Sequence, residues 1–360
     1  MRIVHLSDIH LSKGNLNEFR NNFKDAIILD LLNFHKDIPI DIIAITGDLV
    51  DKGGHSLKEM PEFSSIENPY EIFKKEFILP IAQGLQIDSK KFIFIPGNHD
   101  IDEKSISWFD ENNLSRDIDD QNINTFLSDN LNSFKHSSRI KAFKDFERDF
   151  HNDNSNYLFS ENESTFTYDY NSKKIGFILV NDSWRCKSRK FVGENDKHYF
   201  GYNQLHNGLT QLKRQNTYLN ICLFHHSLEN FIEEEEITRI LINKEIDIFL
   251  YGHYHKNKLV SYKNTLNNCD GFRVRAALNK PDEVIADFQP GYQIFDFDLT
   301  TNSISNIHFR KYDYPSIRFN EDTDTSHGQK FSPIPLMKIK QRHNSSNELD
   351  FSTFNKLNDE

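Results

Sequence analysis

Five short apolar runs stand out along the chain, and each ends abruptly in a small polar cluster. The runs are Ile3-Val4-His5-Leu6-Ser7, Ile42-Ile43-Ala44-Ile45-Thr46, Phe92-Ile93-Phe94-Ile95-Pro96, Ile221-Cys222-Leu223-Phe224 and Ile248-Phe249-Leu250-Tyr251. Continuous apolar stretches of this length predict strands buried on both faces. Between the first two, Phe19, Phe23, Ile27, Leu31 and Phe34 recur at helical spacing and predict a helix over residues 16–35. Strand, helix and strand make a βαβ unit, a crossover that is right-handed in nearly all sheets. Further helices are expected over 70–85, 202–214 and 229–244. Residues 165–170 and 174–181 read as a hairpin around Asn171-Ser172. Alternating apolar and polar residues in 274–278, 293–299 and 303–310 predict antiparallel strands. The pattern as a whole is α/β, with the polar clusters just past strand ends, where open α/β sheets place their ligands.

Two regions fall outside this rhythm. Residues 101–160 are rich in Asn, Asp and Ser, with aromatic residues at helical spacing around Phe126 to Phe150, and are expected to form a helical insertion near the active rim. Beyond residue 314 the pattern decays, so a catalytic domain of residues 1–314 and a polar tail of 315–360 are expected. Such a tail is disordered unless it docks on a partner.

Composition narrows the class. A chain of 360 residues with 31 Phe and 13 Tyr can bury a large core. No stretch approaches the roughly 18 apolar residues of a membrane span. The N-terminus runs straight into the first strand, so no cleaved signal peptide is expected. Three cysteines, Cys186, Cys222 and Cys269, show no paired spacing. They predict a reduced, cytoplasmic protein rather than a disulfide scaffold. The net charge of −11 gives no bulk electrostatic signature of a nucleic-acid binder, although bound cations or a local basic loop can reverse the field at a site.

The polar clusters carry the chemistry. They are Asp8-Ile9-His10, Gly47-Asp48, Gly97-Asn98-His99-Asp100, His225-His226 and Gly252-His253-Tyr254-His255. Imidazole, carboxylate and amide oxygen suit divalent ions of the Mn, Fe, Zn or Ni kind, and the clusters contain no thiolate of a structural zinc cage. Two such ions, about 3.5–4 Å apart, can clamp the attacking and leaving oxygens of a phosphoryl transfer. With Asp8 and Asp48 as the only anionic ligands, −2 from the protein meets +4 from the ions. A site left at about +2 favours hydroxide and an anionic phosphate ester.

Taken together, D-x-H, G-D, G-N-H-D, H-H and G-H-x-H between residues 8 and 255 resemble the calcineurin-like metallophosphoesterase superfamily. The resemblance implies a four-layer α/β/β/α sandwich of two mixed sheets with two metal ions at one edge. Asp8, His10 and His255 would hold the first ion, and Asn98, His225 and His253 the second, with Asp48 bridging. Manganese is the expected metal, with Fe, Zn, Ni or Mg as alternatives. His99 would face the substrate and protonate the leaving oxygen. Gly47-Asp48-Leu49-Val50-Asp51-Lys52-Gly53 is similar to the G-D-x-V-D-R-G run of protein phosphatases, where the second aspartate orients the catalytic histidine, a role that would fall to Asp51. Lys52 replaces the arginine of that run, and Ile95-Pro96 stands before Gly97 where an arginine is expected. The Pro-Gly-Asn-His-Asp form is more like phosphodiesterases and repair nucleases, although Ser227 follows the histidine pair where many phosphodiesterases carry proline.

The expected activity is therefore a dinuclear phosphodiesterase on a nucleotide-type substrate, working by in-line attack of metal-activated hydroxide. DNA, RNA and cyclic or small nucleotides remain open as substrates. The alternatives are a phosphomonoesterase or protein phosphatase, or a scaffold that has kept the fold without the chemistry. Three residues are expected to bind substrate. Asp182 lies in Asn181-Asp182-Ser183-Trp184 at a strand end. Arg185 begins a basic patch with Lys187, Arg189 and Lys190 that could grip a phosphate backbone. His226 is expected at the rim or behind the ligands. His5, inside the first strand, is expected to be a satisfied core histidine. The layout also resembles a bacterial group of metallophosphoesterase domains that sit beside NTPase or repeat modules. That likeness implies a regulated effector in bacterial defence, with a homo-oligomer or an NTPase-type partner engaged through the C-terminal region.

Overall fold

In the computed structural model, strands β1 (Arg2–Leu6), β2 (Ile42–Thr46) and β3 (Phe92–Ile95) run parallel, side by side. The chain is described over residues 1–107, 109, 118–119, 121–129, 138–186, 198–278, 289–328 and 331–339. The remaining strands are β4 (Tyr157–Leu158), β5 (Ser164–Tyr170), β6 (Lys173–Leu179), β7 (Leu219–Leu223), β8 (Ile248–Tyr251), β9 (Lys258–Lys263), β10 (Asn268–Arg273), β11 (Gly291–Asp298), β12 (Ser303–Asp313), β13 (Arg318–Glu321) and β14 (Ile334–Pro335). They form two mixed seven-stranded sheets. One has the order β13-β12-β11-β1-β2-β3, with β14 paired to β12, and the other has the order β4-β5-β6-β7-β8-β10-β9.

Period-two alternation decides how these sheets stack. Ile3, Ile42, Ala44, Ile93 and Ile95 face Phe177, Leu179, Leu219, Ile221, Leu223, Ile248 and Leu250 in one core between the sheets. Their alternate neighbours point the other way. Val4, Ile43, Ile45 and Phe94 pack under Phe19, Phe23, Ile27, Leu31 and Ile81. Ile178, Cys222 and Phe249 pack under Leu205, Leu212, Ile237 and Ile240. Each fully buried Ile, Leu or Phe contributes roughly 1.5–3 kcal/mol relative to exposure. Every central strand thus has two apolar faces to cover, and the four-layer α/β/β/α sandwich covers both.

The helices follow the predicted periodicity with local adjustments. The first is helical from Leu16 to Asp37, with a π turn over Phe19–Phe23. The second runs as Pro69–Phe73, a π turn over Lys74–Ile78, and Leu79–Leu85. Pro80, without an N–H and crowding the turn before it, accounts for the widened turn there. Helices Asn203–Arg214 and Glu234–Asn243 cover the second sheet.

The structure corrects three expectations. Residues 274–278 are not a strand. Val274 N donates to Tyr251 O of the second sheet, Ala277 N to Ser7 O beyond β1, and Ala276 O accepts from Gly291 N, so the segment crosses from one sheet to the other. The boundary expected at 314 falls inside the first sheet: β13 pairs with β12, Leu336 and Ile339 are buried, and Lys338 donates to the carbonyls of Leu241 (2.5 Å) and Ile246 (2.6 Å). Residues 340–360 lie outside the described part. Within 101–160, helix Lys141–His151 belongs to the outer layer, with Phe146 stacked at 5.3 Å on Phe94 and Phe143 edge-on to Tyr70 at 5.4 Å. Among the described residues, no helix is long and apolar enough to cross a membrane. All three cysteines are buried and free.

Candidate metal centre

The segments following β1, β2, β3, β7 and β8 converge on one rim, and their backbone there is strained. Asp8, His10, Asp48, His253 and His255 all have positive φ, between 48° and 75°. The left-handed region costs a non-glycine residue on the order of 1 kcal/mol, and such strain concentrates at functional sites. Cross-segment hydrogen bonds hold it in place. Asp8 N donates to Gly47 O (3.1 Å), while Ile9 N and His10 N both donate to Asp48 O (2.9 and 2.8 Å). Two glycines permit the close approach. Gly47 has φ +92°, and a Cβ there would lie 2.4 Å from His225 Nδ1. A Cβ on Gly252 would lie 1.9 Å from Ser7 Oγ and 2.7 Å from Asp8 Oδ2. Gly47 before Asp48 and Gly252 before His253 are thus packing requirements.

Each buried carboxylate uses one oxygen on the backbone and leaves the other among imidazoles. Asp8 Oδ2 accepts His253 N–H at 3.0 Å, and Asp48 Oδ1 accepts His99 N–H at 2.7 Å. Asp8 Oδ1 is buried without a well-formed hydrogen bond. It lies 3.3 Å from His255 Nε2 and 3.8 Å from His10 Nε2. Asp48 Oδ2 lies 3.3 Å from His225 Nε2 and 3.5 Å from His10 Nε2. Asn98 Oδ1 is 3.1 Å from His225 Nε2 and 2.9 Å from His253 Nδ1. His225 Nδ1 donates to Thr46 O at 2.7 Å, which leaves the Nε2 lone pair toward the cluster, the tautomer a ligand needs.

The electrostatics ask for a cation. Burial alone would lower the His225 pKa, yet the Asp48 and Asp8 carboxylates raise it to about 10. Burial opposes ionisation of Asp48, but His225 and His10 pull its carboxyl well below the ordinary range. An inward-facing orphan carboxylate oxygen and a donor set of oxygen and nitrogen without thiolate fit a pair of divalent ions.

His99 stands beside this cluster, its ring edge-on to His10 with centroids 4.5 Å apart. Its Nδ1 is 2.7 Å from Asp51 Oδ1, and both side chains are about one-third exposed, at 36% and 32%. Burial lowers the His99 pKa, but the Asp51 bond and the charges of Asp48 and Asp51 outweigh it, so the net shift is upward. The structure thus brings all seven expected ligand residues together, with His99 and Asp51 next to them.

The expected substrate-binding residues are placed differently. Asp182 is 1% exposed, and its Oδ2 accepts the backbone N–H groups of His225 (3.0 Å) and His226 (2.8 Å) and faces His226 Nδ1 (3.1 Å). It shapes the histidine turn and has no open face for a substrate. Burial raises its pKa to about 6, against the pull of His225 and those N–H groups. His226 is fully buried rather than at a rim, and Arg185 is only 6% exposed, so neither presents an open surface. Lys187, Arg189 and Lys190 lie outside the described residues. His5 sits in the core between Thr46 Oγ1 (2.8 Å) and Gln293 Nε2 (2.9 Å).

One organising residue had no role assigned from sequence. Asp100, 1% exposed, accepts N–H groups from Gly97 (2.9 Å), Leu49 (3.1 Å) and Val50 (3.2 Å), tying the loop after β2 to the loop after β3. The Tyr70 hydroxyl donates to its carbonyl at 3.0 Å. Its place at the end of Gly-Asn-His-Asp is the signal that could have found it.

The fold and the site together define a metal-dependent phosphoester hydrolase. The sequence profile of the calcineurin-like phosphoesterases matches residues 1–257, and the chain belongs to that family. Among curated proteins, none matches by sequence. Among solved structures, a dimetal phosphatase from Danio rerio is similar at 11% identity and TM-score 0.47, covering 89% of this chain and 98% of its own. A Haemophilus influenzae NAD nucleotidase aligns at 12% identity and TM-score 0.42, over 97% of this chain and 60% of its own. A Staphylococcus aureus putative 5'-nucleotidase aligns at 12% identity and TM-score 0.38, over 93% and 54%.

Proposed function

We propose that the protein is a phosphodiesterase acting on nucleotide-type substrates, and that the observation carrying this reading is the His99–Asp51 pair beside the convergent ligands. In this reading Asp8, His10 and His255 would hold one ion and Asn98, His225 and His253 the other, with Asp48 shared between them and manganese as the preferred metal. Bound there, such ions would supply positive charge to the phosphate and acidify the attacking water. The protein supplies the rest. The Asp51 carboxylate accepts a hydrogen bond from Nδ1–H of His99 and so favours the imidazolium form. Nε2 then carries a proton for the leaving alkoxide, a poor leaving group that needs a general acid.

One feature supports a diester over a monoester, and a second supports a nucleotide. A monoester dianion is best gripped by a bidentate guanidinium. Lys52 and the Ile95-Pro96 pair stand where the protein-phosphatase pattern would supply arginine. The second feature is Tyr254, flanked by His253 and His255 and 39% exposed. Its ring lies 5.1 Å from the Arg273 guanidinium, and its hydroxyl accepts from Asn230 at 3.0 Å. A fixed aromatic beside the centre is a surface on which a nucleobase can stack.

The test compares bis-p-nitrophenyl phosphate with p-nitrophenyl phosphate on the manganese-loaded protein. A panel of single-stranded DNA, double-stranded DNA, RNA and cyclic mononucleotides follows. Faster turnover of the diester and at least one active nucleotide substrate are expected. Preference for the monoester would overturn the diester reading, and no turnover of any ester would overturn the enzyme.

A further inference from the structure

Behind the ligand cluster sits a second group of metal-type donors that the proposed function does not use: Cys186, His198 and His226. Cys186 Sγ lies 3.8 Å from His198 Nδ1 and 3.8 Å from His226 Nε2, and the two imidazole centroids are 4.9 Å apart. The three donor atoms all fall within 4.8 Å of one another. An ion with metal–sulfur and metal–nitrogen bonds of about 2.3 and 2.0–2.1 Å, at angles of roughly 110–120°, requires sulfur–nitrogen separations of about 3.6–3.8 Å. Both sulfur–nitrogen separations, at 3.8 Å, fall within that range.

The ring chemistry fits as well. His226 Nδ1 faces Asp182 Oδ2 at 3.1 Å, and this bond to a carboxylate fixes the proton on Nδ1. Nε2, the nitrogen nearest Cys186, is then the lone-pair atom. A carboxylate behind a ligating imidazole is the usual outer partner of a metal-bound histidine. The backbones that carry the donors are pinned by other segments. Cys186 N donates to Ser183 O (2.9 Å), and Cys186 O accepts from Arg139 (2.9 Å). His198 N donates to Asn230 O (2.9 Å), and its carbonyl accepts from Ile232 N (3.1 Å). Cys186 and His226 are buried, at 2% and 0% exposure.

We infer that Cys186, His198 and His226 form a separate site for one soft or borderline transition ion of the zinc class. Binding would release the thiol proton to solvent and leave a thiolate and two neutral imidazoles on the ion, with one position open. One thiolate and two imidazoles select zinc-type ions over magnesium or manganese. The site is not a third copy of the dinuclear chemistry. His226 packs on His225 and His253, with ring centroids 4.8 and 4.6 Å apart, and Asp182 holds the His225 and His226 amides with one oxygen. An ion here would therefore lock the turn that presents His225.

Cobalt(II) loading of the full-length protein, after exhaustive chelation, tests this without reference to catalysis. Only a cysteine ligand produces a near-ultraviolet sulfur-to-cobalt charge-transfer band, and the dinuclear cluster contains no thiolate. The wild type is expected to show the band, and Cys186→Ala to lose it. Elemental analysis after zinc loading is expected to find one ion fewer per chain in Cys186→Ala and in His198→Ala than in the wild type. Absence of the band from the wild type, persistence of the band in folded Cys186→Ala, or equal zinc content in the wild type and folded His198→Ala would each overturn the site. Because the wild-type spectrum is decisive alone, a variant that fails to fold does not protect the inference. Loss of phosphodiesterase activity would bear on the proposed function and leave this result standing.

Discussion

His99 is joined to the loop after β2 twice: its ring Nδ1 meets Asp51 Oδ1 at 2.7 Å, and its backbone N–H is accepted by Asp48 Oδ1 at 2.7 Å. The backbone bond fixes where the ring starts, and the side-chain bond fixes which way it turns. A residue held by both should act on the substrate rather than on the metals. His99→Asn is therefore expected to lower kcat by about 10²–10⁴-fold, the range for loss of a general acid. The bound metal should stay. Asp51→Asn keeps the ring but weakens its orientation and charge, so a smaller loss, on the order of 10-fold, is expected. Steady-state kinetics with parallel elemental analysis checks both variants, and metal loss in His99→Asn would contradict the assignment.

The five strand-and-cluster units could be read from the chain because each couples an unbroken apolar run to an abrupt polar stop. The same units build the rim. Other parts left weaker traces. Strand β9, Lys-Leu-Val-Ser-Tyr-Lys, lies at the edge of its sheet with mostly exposed or half-exposed residues, so it carries no apolar run. Strand β13 is four residues long and owes its place to pairing with β12. Residues 274–278 alternate like a strand, but their hydrogen bonds go to two different sheets, which periodicity cannot reveal. Asp182 followed a strand end and looked like a pocket residue. Its acceptance of two amides from a turn more than forty positions away is a tertiary fact. Cys186 and His198 carried no motif, because tertiary packing alone brings them to His226.

Gly252 tests how tightly the rim is packed. A Cβ at this position would overlap Ser7 Oγ at 1.9 Å and crowd Asp8 Oδ2 at 2.7 Å. Ser7 cannot simply yield, since its hydroxyl donates to Thr46 O at 2.9 Å. Gly252→Ala is expected to lose about 1–3 kcal/mol of stability, the usual range for overpacking. It should also bind manganese more weakly, because displacement of Asp8 disturbs a carboxylate placed among imidazoles. Chemical denaturation and a metal titration read the two effects separately. A variant with wild-type stability and affinity would show that the rim is looser than this geometry.

Arg2 and Asp296 make a pH prediction away from the site. Arg2, 1% exposed, donates from Nε to Asp296 Oδ1 at 2.6 Å and from the terminal nitrogen to Oδ2 at 2.8 Å. Burial raises the Asp296 pKa, but Arg2 and then His308 outweigh it and bring it down to about 2, from an ordinary 3.8. A carboxyl with a depressed folded pKa contributes stability that is fully present above about pH 4 and lost as the pH falls through 2. After allowance for solvent screening, the contribution is roughly 1–2 kcal/mol. Asp296 should contribute this much to the fall of the wild-type unfolding free energy across that window, on top of the other depressed carboxyls such as Asp48. Asp296→Asn should lack it at neutral pH and show a flatter acid limb. Parallel acid limbs in the two proteins would refute the linkage.

Metal removal gives the broadest prediction, because Asp8 and Asp48 are 0% and 1% exposed and no lysine or arginine pairs with either among the described contacts. Without ions, two buried carboxylates must be tolerated by histidines alone. Ions that bind the folded chain and not the unfolded one stabilise it by about 2.7 kcal/mol at a concentration one hundred times Kd. For a chain of 360 residues that corresponds to a Tm rise of about 3–4 °C per site. Thermal unfolding of chelated protein across a manganese series should show a midpoint that climbs with the logarithm of concentration. Asp48→Asn, which removes the carboxylate placed between His10 and His225, should flatten that climb far more than a substitution at Asp182. A wild-type midpoint independent of manganese would mean that the convergent donors do not hold an ion.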